Sequence, residues 1–398
     1  MLTYRSKFLL DRIVGFPISI ILAVLARIAG IILHRDHRTP ENPKSIVVAK
    51  FLGMGSIIYV GVLCRSLKRR FPSAKMYFVT TKGCGELAKK LNYIDEVITI
   101  DDSSIIRMIS TNICLIIKLW MIRPKLYFDM EVYSNYAAII TTLSLALNRY
   151  GFYRKSVAFK KGLYSKLIFF NTRRHISDIY LHMCNAVGAT GNADLSNLIA
   201  ICPEDREKLS KLLKTHNFEN NRIILVNVNA SDLLLERRWP NENWTDYLDK
   251  VAQNCSKYTF LMVGAPNEKD YVNSIWQMIS QPSRDRIKDI SGLTDLGTLL
   301  ALIMKSELLI TIDSGTLHMA VSLGTRTLSL WGPGAPDHYA PLEDRHDIIY
   351  EPTYCSPCLY HADVPPCNGN NICMAQITVN KLWQKTESIL SCNKISTK

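Results

Sequence analysis

The stretch ELLITIDSGTLHMAVSLGTRTLSLWGP, residues 307–333, carries the pattern that decides the fold. Residues 308–312 are a short, β-branched apolar run, which predicts a strand buried on both faces. Residues 316–323 have apolar side chains at helical spacing and end at Gly324, a residue that commonly terminates helices. Residues 327–331 predict the next strand. The stretch is therefore a βαβ unit with a polar turn after its first strand.

That polar turn, Asp313-Ser314-Gly315, lies where open α/β sheets bind ligands, outside the carboxyl ends of the strands. The helix predicted from Thr316 directs unpaired amides and a partial positive charge at the turn, which suits a phosphate group. His318, one turn into the helix, adds a ring N–H or a positive charge. The alternative is that Asp313 and Ser314 only cap the helix, and that His318 is an ordinary surface histidine.

Composition and charge favour a folded protein with an anionic partner. The 398 residues are enough for two domains, and 47% of them are hydrophobic. The formal net charge of +13 suits nucleic acid, acidic lipid or a phosphorylated sugar. Because basic residues are spread along the chain without a zinc-finger or RNA-binding motif, we expect no nucleic-acid partner. The 11 cysteines are an odd number and mostly scattered, which favours the reducing cytosol.

The N-terminal residues 13–33 are almost wholly apolar and have the length of a bilayer span. Basic residues flank both ends, and Arg27 lies inside, where an isolated arginine is costly at the bilayer centre. No small-residue cleavage site follows, which disfavours a signal peptide. We predict a helix lying in the membrane interface, with a single span or packing on a protein partner as alternatives.

From residue 45 onward, strands alternate with helices in two successive halves, which predicts parallel, doubly wound sheets. The polar stretch 198–204 predicts the linker between the halves. We divide the chain into a membrane-associating helix and linker (1–39), two Rossmann-like domains (40–200 and 201–380), and a C-terminal helix and tail (381–398).

Several motifs together resemble those of glycosyltransferase family 9, the lipopolysaccharide heptosyltransferase family. D-S-G-T-L-H at 313–318 is followed by A-x-x-L-G-T at 320–325 and W-G-P-G-x-P at 331–336. R-x-W-P-x-E-x-W at 237–244 resembles a further motif of the family. The resemblance implies the GT-B fold, in which two Rossmann-like domains face each other across a cleft.

The implied activity is inverting transfer of a heptose-like sugar from a nucleoside-diphosphate sugar, with an ADP-heptose-like donor expected. The implied acceptor is the lipopolysaccharide core or another cell-surface glycan, held by the first domain. No metal is implied for catalysis. Because such donors are met in the cytosol, we expect a peripheral or monotopic protein at the cytoplasmic face of the inner membrane.

The resemblance also implies donor-binding residues in the second domain. Arg237 would make forked bonds to the diphosphate, and Glu268 would hold the nucleoside hydroxyls. The remaining implied donor-binding residues are Asn229, Asp313, Ser314, Gly315, Thr316 and His318.

One residue departs from the family pattern. The family carries an acidic residue, thought to be the general base, directly after the M-G of its first turn, where this chain has Ser56. A serine hydroxyl cannot take a proton unaided near neutral pH. Asp129 and Glu131 lie at the end of the strand predicted at 125–130, and Glu131 is the candidate substitute base. The alternative for Glu131 is a solvated strand-end carboxylate.

Ser56 keeps a second function open. A membrane-tethered homologue with weak or absent catalysis would bind glycolipid or a partner enzyme. A different Rossmann enzyme, such as a UDP-sugar epimerase, is disfavoured because neither half carries G-x-G-x-x-G.

Four cysteines cluster near the C-terminus: Cys355, Cys358, Cys367 and Cys373. The C-x-x-C start predicts a tetrahedral site for a structural zinc ion, although the second pair is irregularly spaced. Free thiols or a redox disulfide are the alternatives.

Overall fold

The computed structural model describes residues 4–230, 235–359, 365, 367 and 370–392. The chain forms two compact units, Met1–Ala200 and Ile201–Lys398. We call them the first and the second unit.

The described part of the first unit contains one six-stranded parallel sheet with the order β3-β2-β1-β4-β5-β6. Its strands are β1 (Ser45–Ala49), β2 (Lys75–Thr81), β3 (Glu96–Ile100), β4 (Leu126–Asp129), β5 (Asn148–Tyr153) and β6 (Lys166–Phe169). Its helices are α1 (Tyr4–Leu10), α2 (Phe16–Leu33), α3 (Met54–Arg70), α4 (Lys82–Lys89), α5 (Ile105–Ile122), α6 (Asn135–Leu143) and α7 (Ile176–Asn185).

The helices α5 and α6 cover the same face of this sheet. Leu115 and Leu119 of α5 and Ala137 and Ile140 of α6 share one buried cluster with Val47, Ala49 and Tyr127 of the strands. The sequence pattern does not predict α5, because its apolar residues occur on nearly every side of the helix.

The N-terminal helical segment packs against the surface of the first unit along one narrow stripe. A π-helical turn, Asp11–Gly15, joins α1 to α2. The small residues Gly15, Ser19 and Ala23 form the buried stripe of the segment, and Ala23 packs against Ala138 of α6. The Asp11 carboxylate accepts hydrogen bonds from the amides of Asn135 (3.0 Å) and Tyr136 (2.6 Å) at the start of α6. The segment is therefore an integral part of the unit.

Two described helices are long and apolar enough to cross a membrane, judged by length and composition. They are Phe8–Leu33, with a mean hydropathy of 2.4, and Ile105–Ile122, with a mean hydropathy of 1.7. Little of either helix is buried within the protein.

The described part of the second unit contains a six-stranded parallel sheet with the order β12-β11-β10-β7-β8-β9. Its strands are β7 (Arg222–Asn227), β8 (Tyr258–Met262), β9 (Ile287–Asp289), β10 (Leu308–Ile312), β11 (Thr327–Trp331) and β12 (His346–Tyr350). Its helices are α8 (Pro203–Thr215), α9 (Asn241–Asn254), α10 (Lys269–Met278), α11 (Leu296–Lys305), α12 (Gly315–Leu323), α13 (Pro336–Tyr339), α14 (Ile372–Ala375) and α15 (Val379–Cys392).

Both sheets have the strand order of a doubly wound Rossmann fold, since each reverses direction beside its first strand. The predicted fold class of two Rossmann-like units is confirmed. The strands predicted at 308–312 and 327–331 match the structure residue for residue. Gly324 ends α12 with a φ of 77°, as predicted, because glycine adopts this left-handed conformation without a steric penalty.

Candidate functional site

The site in the second unit lies at the point where its sheet reverses. Strands β7 and β10 are neighbours and run parallel, so their carboxyl ends lie at the same edge. Asn229 follows β7, while Asp313 and Ser314 follow β10. The fold therefore brings together residues from two motifs far apart in sequence.

Asp313 forms an ion pair with Arg237 at this edge. The Arg237 Nε atom lies 3.2 Å from Asp313 Oδ2. Asp313 is buried, and this burial raises the pKa of its carboxyl group, while the charge of Arg237 acts in the opposite direction. Gly334 lies so close that a Cβ atom there would be 2.5 Å from Asp313 Oδ2. The W-G-P-G-x-P motif thus lets the backbone approach the ion pair.

The loop that carries Arg237 is held from both sides. The Asn371 side-chain amide donates to the carbonyl groups of Glu236 and Arg238, the latter at 3.0 Å. Trp239 is buried, and its indole N–H donates to the carbonyl of Ile377 at 2.9 Å. The W-P motif therefore anchors the loop and fixes the position of the arginine before it.

Ser314 does not cap α12, although it occupies the N-cap position. Its backbone is extended and its side chain makes no capping hydrogen bond. Instead, the Ser314 hydroxyl accepts from the Asn227 side-chain amide at 3.0 Å and lies 3.1 Å from Thr311 Oγ1. The capping alternative is therefore wrong for Ser314, while Asp313 is engaged with Arg237. The amides of the first turn of α12 remain directed at the edge of the sheet, and Gly315 and Thr316 there are half-buried.

His318 is buried inside α12, so its interpretation as a surface histidine is wrong. Its ring centre lies 6.4 Å from that of Tyr339, at the end of α13. The histidine therefore lies one turn inside the helix whose amino end faces the ion pair.

Sequence reasoning missed Arg238, the neighbour of Arg237. The Arg238 Nε atom donates to Asn229 Oδ1 at 2.8 Å, and its guanidinium carbon lies 3.8 Å from the ring centre of Tyr271. The side-chain nitrogen of Asn229, Nδ2, is buried and has no hydrogen-bond partner among the described residues. The double arginine before W-P was the available signal, but only the family motif singled out Arg237.

Glu268 lies at the neighbouring strand end, after β8. Its Oε2 atom accepts from the backbone amide of Ala265 at 2.7 Å, which stabilises the short 3-10 turn Pro266–Glu268. The role of Glu268 in holding nucleoside hydroxyls stays a prediction.

In the first unit, Glu131 organises the equivalent edge of the sheet. Its Oε1 atom lies 2.8 Å from the Lys50 ammonium group and accepts from the amides of Phe51 (2.9 Å) and Leu52 (3.2 Å). These donors all belong to the loop that follows β1 and precedes the helix bearing Ser56. Glu131 is therefore more than a solvated strand-end carboxylate.

Asp129 is fully buried beneath Glu131. Its carboxylate accepts from the Glu131 amide at 2.9 Å and from the Tyr164 hydroxyl, and lies 3.7 Å from the buried Lys160 ammonium group. Burial raises the pKa of Asp129 and lowers that of Lys160. Such a carboxylate supports Glu131 rather than contacting a substrate, so the structure does not favour the catalytic assignment of Asp129. Ser56 is half-buried in the first turn of α3.

The four C-terminal cysteines remain unassigned. Cys373 is buried, and burial together with the neighbouring thiols raises its pKa to about 11. The segment before it docks on the W-G-P-G turn, where the Cys358 amide donates to the Pro333 carbonyl at 3.1 Å. Within the described residues, no group of three or more His, Cys, Asp or Glu side chains is arranged to hold a metal ion. The zinc site therefore stays a prediction.

Comparison with known proteins agrees with the motifs. The sequence profile of glycosyltransferase family 9 (heptosyltransferase) matches residues 135–367. Lipooligosaccharide heptosyltransferase 2 of Haemophilus influenzae is 23% identical over 146 residues, which are 37% of this chain and 42% of that enzyme. The chain thus spans less than half the length of that curated relative.

Solved structures share the fold over most of the chain. A family 9 glycosyltransferase from Veillonella parvula superimposes with a TM-score of 0.73 at 20% identity, covering 89% of this chain and 99% of that one. E. coli ADP-heptose lps heptosyltransferase II gives a TM-score of 0.70 at 18% identity, with 88% and 99% covered.

Proposed function

Because this chain belongs to glycosyltransferase family 9, we propose that it transfers a heptose-like sugar, with inversion, from a nucleoside-diphosphate sugar to a lipopolysaccharide core or other cell-surface glycan. The observation that supports this most directly is the Arg237–Asp313 pair beside the uncapped amino end of α12. A fixed cation next to free helix amides is what a departing diphosphate requires.

The donor would lie with its diphosphate between Arg237 and the first turn of α12. The Arg237 Nε atom faces Asp313, so the terminal nitrogens of the guanidinium group would bind phosphate oxygens. Asp313 holds the arginine in place, so little reorganisation is needed as negative charge develops on the leaving group. Asn229 Nδ2 would supply a further donor. An ADP-heptose-like donor follows from the family resemblance, and the groups named replace a catalytic metal ion.

Glu131 would act as the general base in the first unit. The contacts from Lys50, Phe51 and Leu52 all fall on Oε1, so Oε2 is the oxygen that would accept the proton of the acceptor hydroxyl. Asp129 would position Glu131 through the amide contact described above. Ser56 would then orient the hydroxyl by hydrogen bonding rather than deprotonate it.

The N-terminal segment would attach the protein to the cytoplasmic face of the inner membrane as a monotopic helix. Its buried stripe packs on α6 of the same unit, which favours a helix lying along the unit in the interface over a single span. Arg27 is exposed and its guanidinium group lies 3.4 Å from the Lys161 carbonyl oxygen, near the surface of the unit rather than in a hydrocarbon core. This position would bring the active site to a membrane-bound glycolipid acceptor.

The direct test is donor hydrolysis and transfer by the full-length protein in detergent. A thermal-shift screen of nucleotide-sugars identifies the donor, and release of the nucleoside diphosphate in the presence of a lipopolysaccharide-core acceptor then measures turnover. We expect turnover that falls sharply in Arg237→Gln and persists in Arg222→Gln, whose exposed guanidinium pairs with Glu307 instead. Donor binding without turnover, for every donor tested, would favour the binding-only homologue.

A further inference from the structure

Helix α5 presents a row of exposed apolar side chains along most of its length. Ile106, Ile109, Ile113, Ile117 and Trp120 recur at helical spacing and are all exposed, by between 47% and 81%. The opposite face, with Leu115 and Leu119, is buried in the core of the unit. A surface helix of a soluble protein normally carries polar residues on its outer side. The apolar outer side of α5 therefore suggests that another apolar surface covers it.

This face lies beside the N-terminal segment, on the same side of the sheet. Helix α6 lies between the two: Ala138 packs against Ala23 of α2, while Ala137 and Ile140 share the cluster of α5. Hydrogen bonds fix α5 to α6, since Trp120 donates to the Leu143 carbonyl at 2.8 Å and Tyr136 to Asn112 at 2.6 Å. Two exposed apolar helices therefore flank one short helix in a single layer.

The second unit shows how such a helix is covered when it belongs to a soluble surface. Its α11 connects the third and fourth strands, as α5 does in the first unit. Helix α8 packs against α11, where Asp205 lies close to Gly297. In the first unit the segment before the first strand packs on α6 instead, and the outer face of α5 stays bare.

Charge at the borders of the two helices identifies the occupant as a lipid surface. Arg12, Arg35, Arg123 and Lys125 are exposed near the helix ends. A pocket of about 460 Å³ beside Arg27 is lined by Lys161 and the aromatic residues Tyr153, Tyr164 and Phe169. Aliphatic faces bordered by arginine, lysine and aromatic residues match an anionic bilayer interface, in which alkyl chains are buried and phosphate groups meet the cations.

We infer that α5 is a second membrane-binding helix. Its outer face and the N-terminal segment both contact an anionic lipid bilayer, and α6 lies between them. The inference rests on the membrane attachment proposed above and not on the transfer chemistry. It gives the first unit two separate contacts with lipid, which would fix the orientation of the unit on the bilayer better than one helix alone.

Quenching by brominated lipids tests the contact at α5 directly. Of the six tryptophans, all of them described, only Trp120 is exposed. The full-length protein is reconstituted on phosphatidylcholine–phosphatidylglycerol vesicles with or without brominated acyl chains. We expect quenching in the wild type, its loss in Trp120→Phe, and its retention in Trp276→Phe. Trp276 is a matched control, since it also lies on a helix and donates to a backbone carbonyl.

Vesicle affinity gives a second test. The triple variant I109S/I113S/I117S should bind vesicles about tenfold more weakly or worse, because three exposed side chains no longer enter the interface. The control M278S/M304S/L342S removes three exposed apolar side chains from the second unit and should bind as the wild type does. Circular dichroism and donor affinity, unchanged in both, would show that the fold is intact.

The outcomes separate the two proposals. Wild-type binding with quenching unchanged in Trp120→Phe would overturn the role of α5 and leave the N-terminal attachment standing. No vesicle binding at all would overturn both, while the transfer assay in detergent would still decide the catalytic proposal. A dimer in detergent that I109S/I113S/I117S dissociates, without quenching on vesicles, would assign the face to a second copy of the chain.

Discussion

Helices α5 and α11 occupy equivalent places in two sheets of the same strand order, yet their surroundings are opposite. Gly297, Leu300 and Ile303 are buried in α11, which α8 covers. In α5 only Leu115 and Leu119 are buried. The comparison teaches that strand order fixes where a crossover helix lies, whereas the helix before the first strand decides whether it is covered.

The carboxyl edges of the two sheets also differ in how their polar groups are satisfied. At the end of β4, Glu131 binds the backbone amides of the loop after β1, so these donors are satisfied within the unit. At the end of β10, the N-cap residue Ser314 makes no capping hydrogen bond to α12, and Asp313 pairs with Arg237. The first edge is suited to positioning a carboxylate, and the second to receiving an anion.

The largest expected effect is on kcat, and it tests whether Glu131 is the general base or only binds the loop after β1. Glu131→Gln keeps an oxygen for the Phe51 and Leu52 amides but cannot take a proton. We expect kcat to fall about 10²–10⁴-fold with KM little changed. Glu96→Gln, which breaks ion pairs with Lys75 and Lys118 at the start of β3, is the control. Near-normal kcat in Glu131→Gln would reduce Glu131 to a loop anchor.

The next effect concerns the anion site of the second unit. Arg237→Gln should weaken ADP binding about 10- to 100-fold, because a charged hydrogen bond to phosphate contributes about 1.5–3 kcal/mol. Isothermal titration calorimetry measures the affinity, and Arg222→Gln serves as control. An unchanged affinity would show that the diphosphate does not bind beside the Arg237–Asp313 pair. A protein with lowered Tm would instead reflect the buried, unpaired Asp313.

A smaller effect tests the integration of the N-terminal segment. A separable membrane anchor could be removed without loss of stability, but here the Asp11 carboxylate binds the first two amides of α6, next to its N-cap Ser134. Asp11→Ala should therefore lower the free energy of unfolding by about 1–2 kcal/mol in urea titrations. Asp36→Ala removes an exposed pair with Arg38 and should change it little. If both variants are equally stable, the N-terminal segment contributes little to the stability of the first unit and behaves as a separable anchor.

The smallest effect compares the caps of α5 and α11. Ser104 caps α5 with a neutral hydroxyl, whereas Asp295 caps α11. Lys208, followed by the Thr298 amide and hydroxyl, lowers the pKa of Asp295 to about 2. Because this pKa lies below the unfolded value of 3.8, the stabilisation is present above about pH 4 and disappears as the pH falls toward 2.

Since Asp295 is half exposed, screening limits this contribution to about 0.5–1 kcal/mol. In Asp295→Asn, the loss of unfolding free energy between pH 6 and pH 3 should be smaller by that amount. Urea unfolding at pH 3 and pH 6 measures the difference. Substituting Ser104→Ala should lower stability equally at both pH values, because the hydroxyl does not titrate in this range.

The candidate site was only partly visible in the sequence. Asp313, Arg237 and His318 were found through motifs, because turn residues and W-P punctuation are local signals. Arg238, Asn227 and Asn371 were not found, because their roles depend on partners between 9 and 135 residues away. The capping interpretation of Ser314 failed for the same reason, since Asn227 on the neighbouring strand binds its hydroxyl.

The sequence by itself determined the alternation of strands and helices, the two Rossmann-like halves and the family, because these follow from local hydrophobic periodicity and short motifs. Only the tertiary structure decided which carboxylates are buried, that Ser314 does not cap its helix, and that α2 and α5 lie on one side of a sheet. Those properties arise from packing between distant segments, and burial rather than residue type sets the energy of a charge or an apolar face.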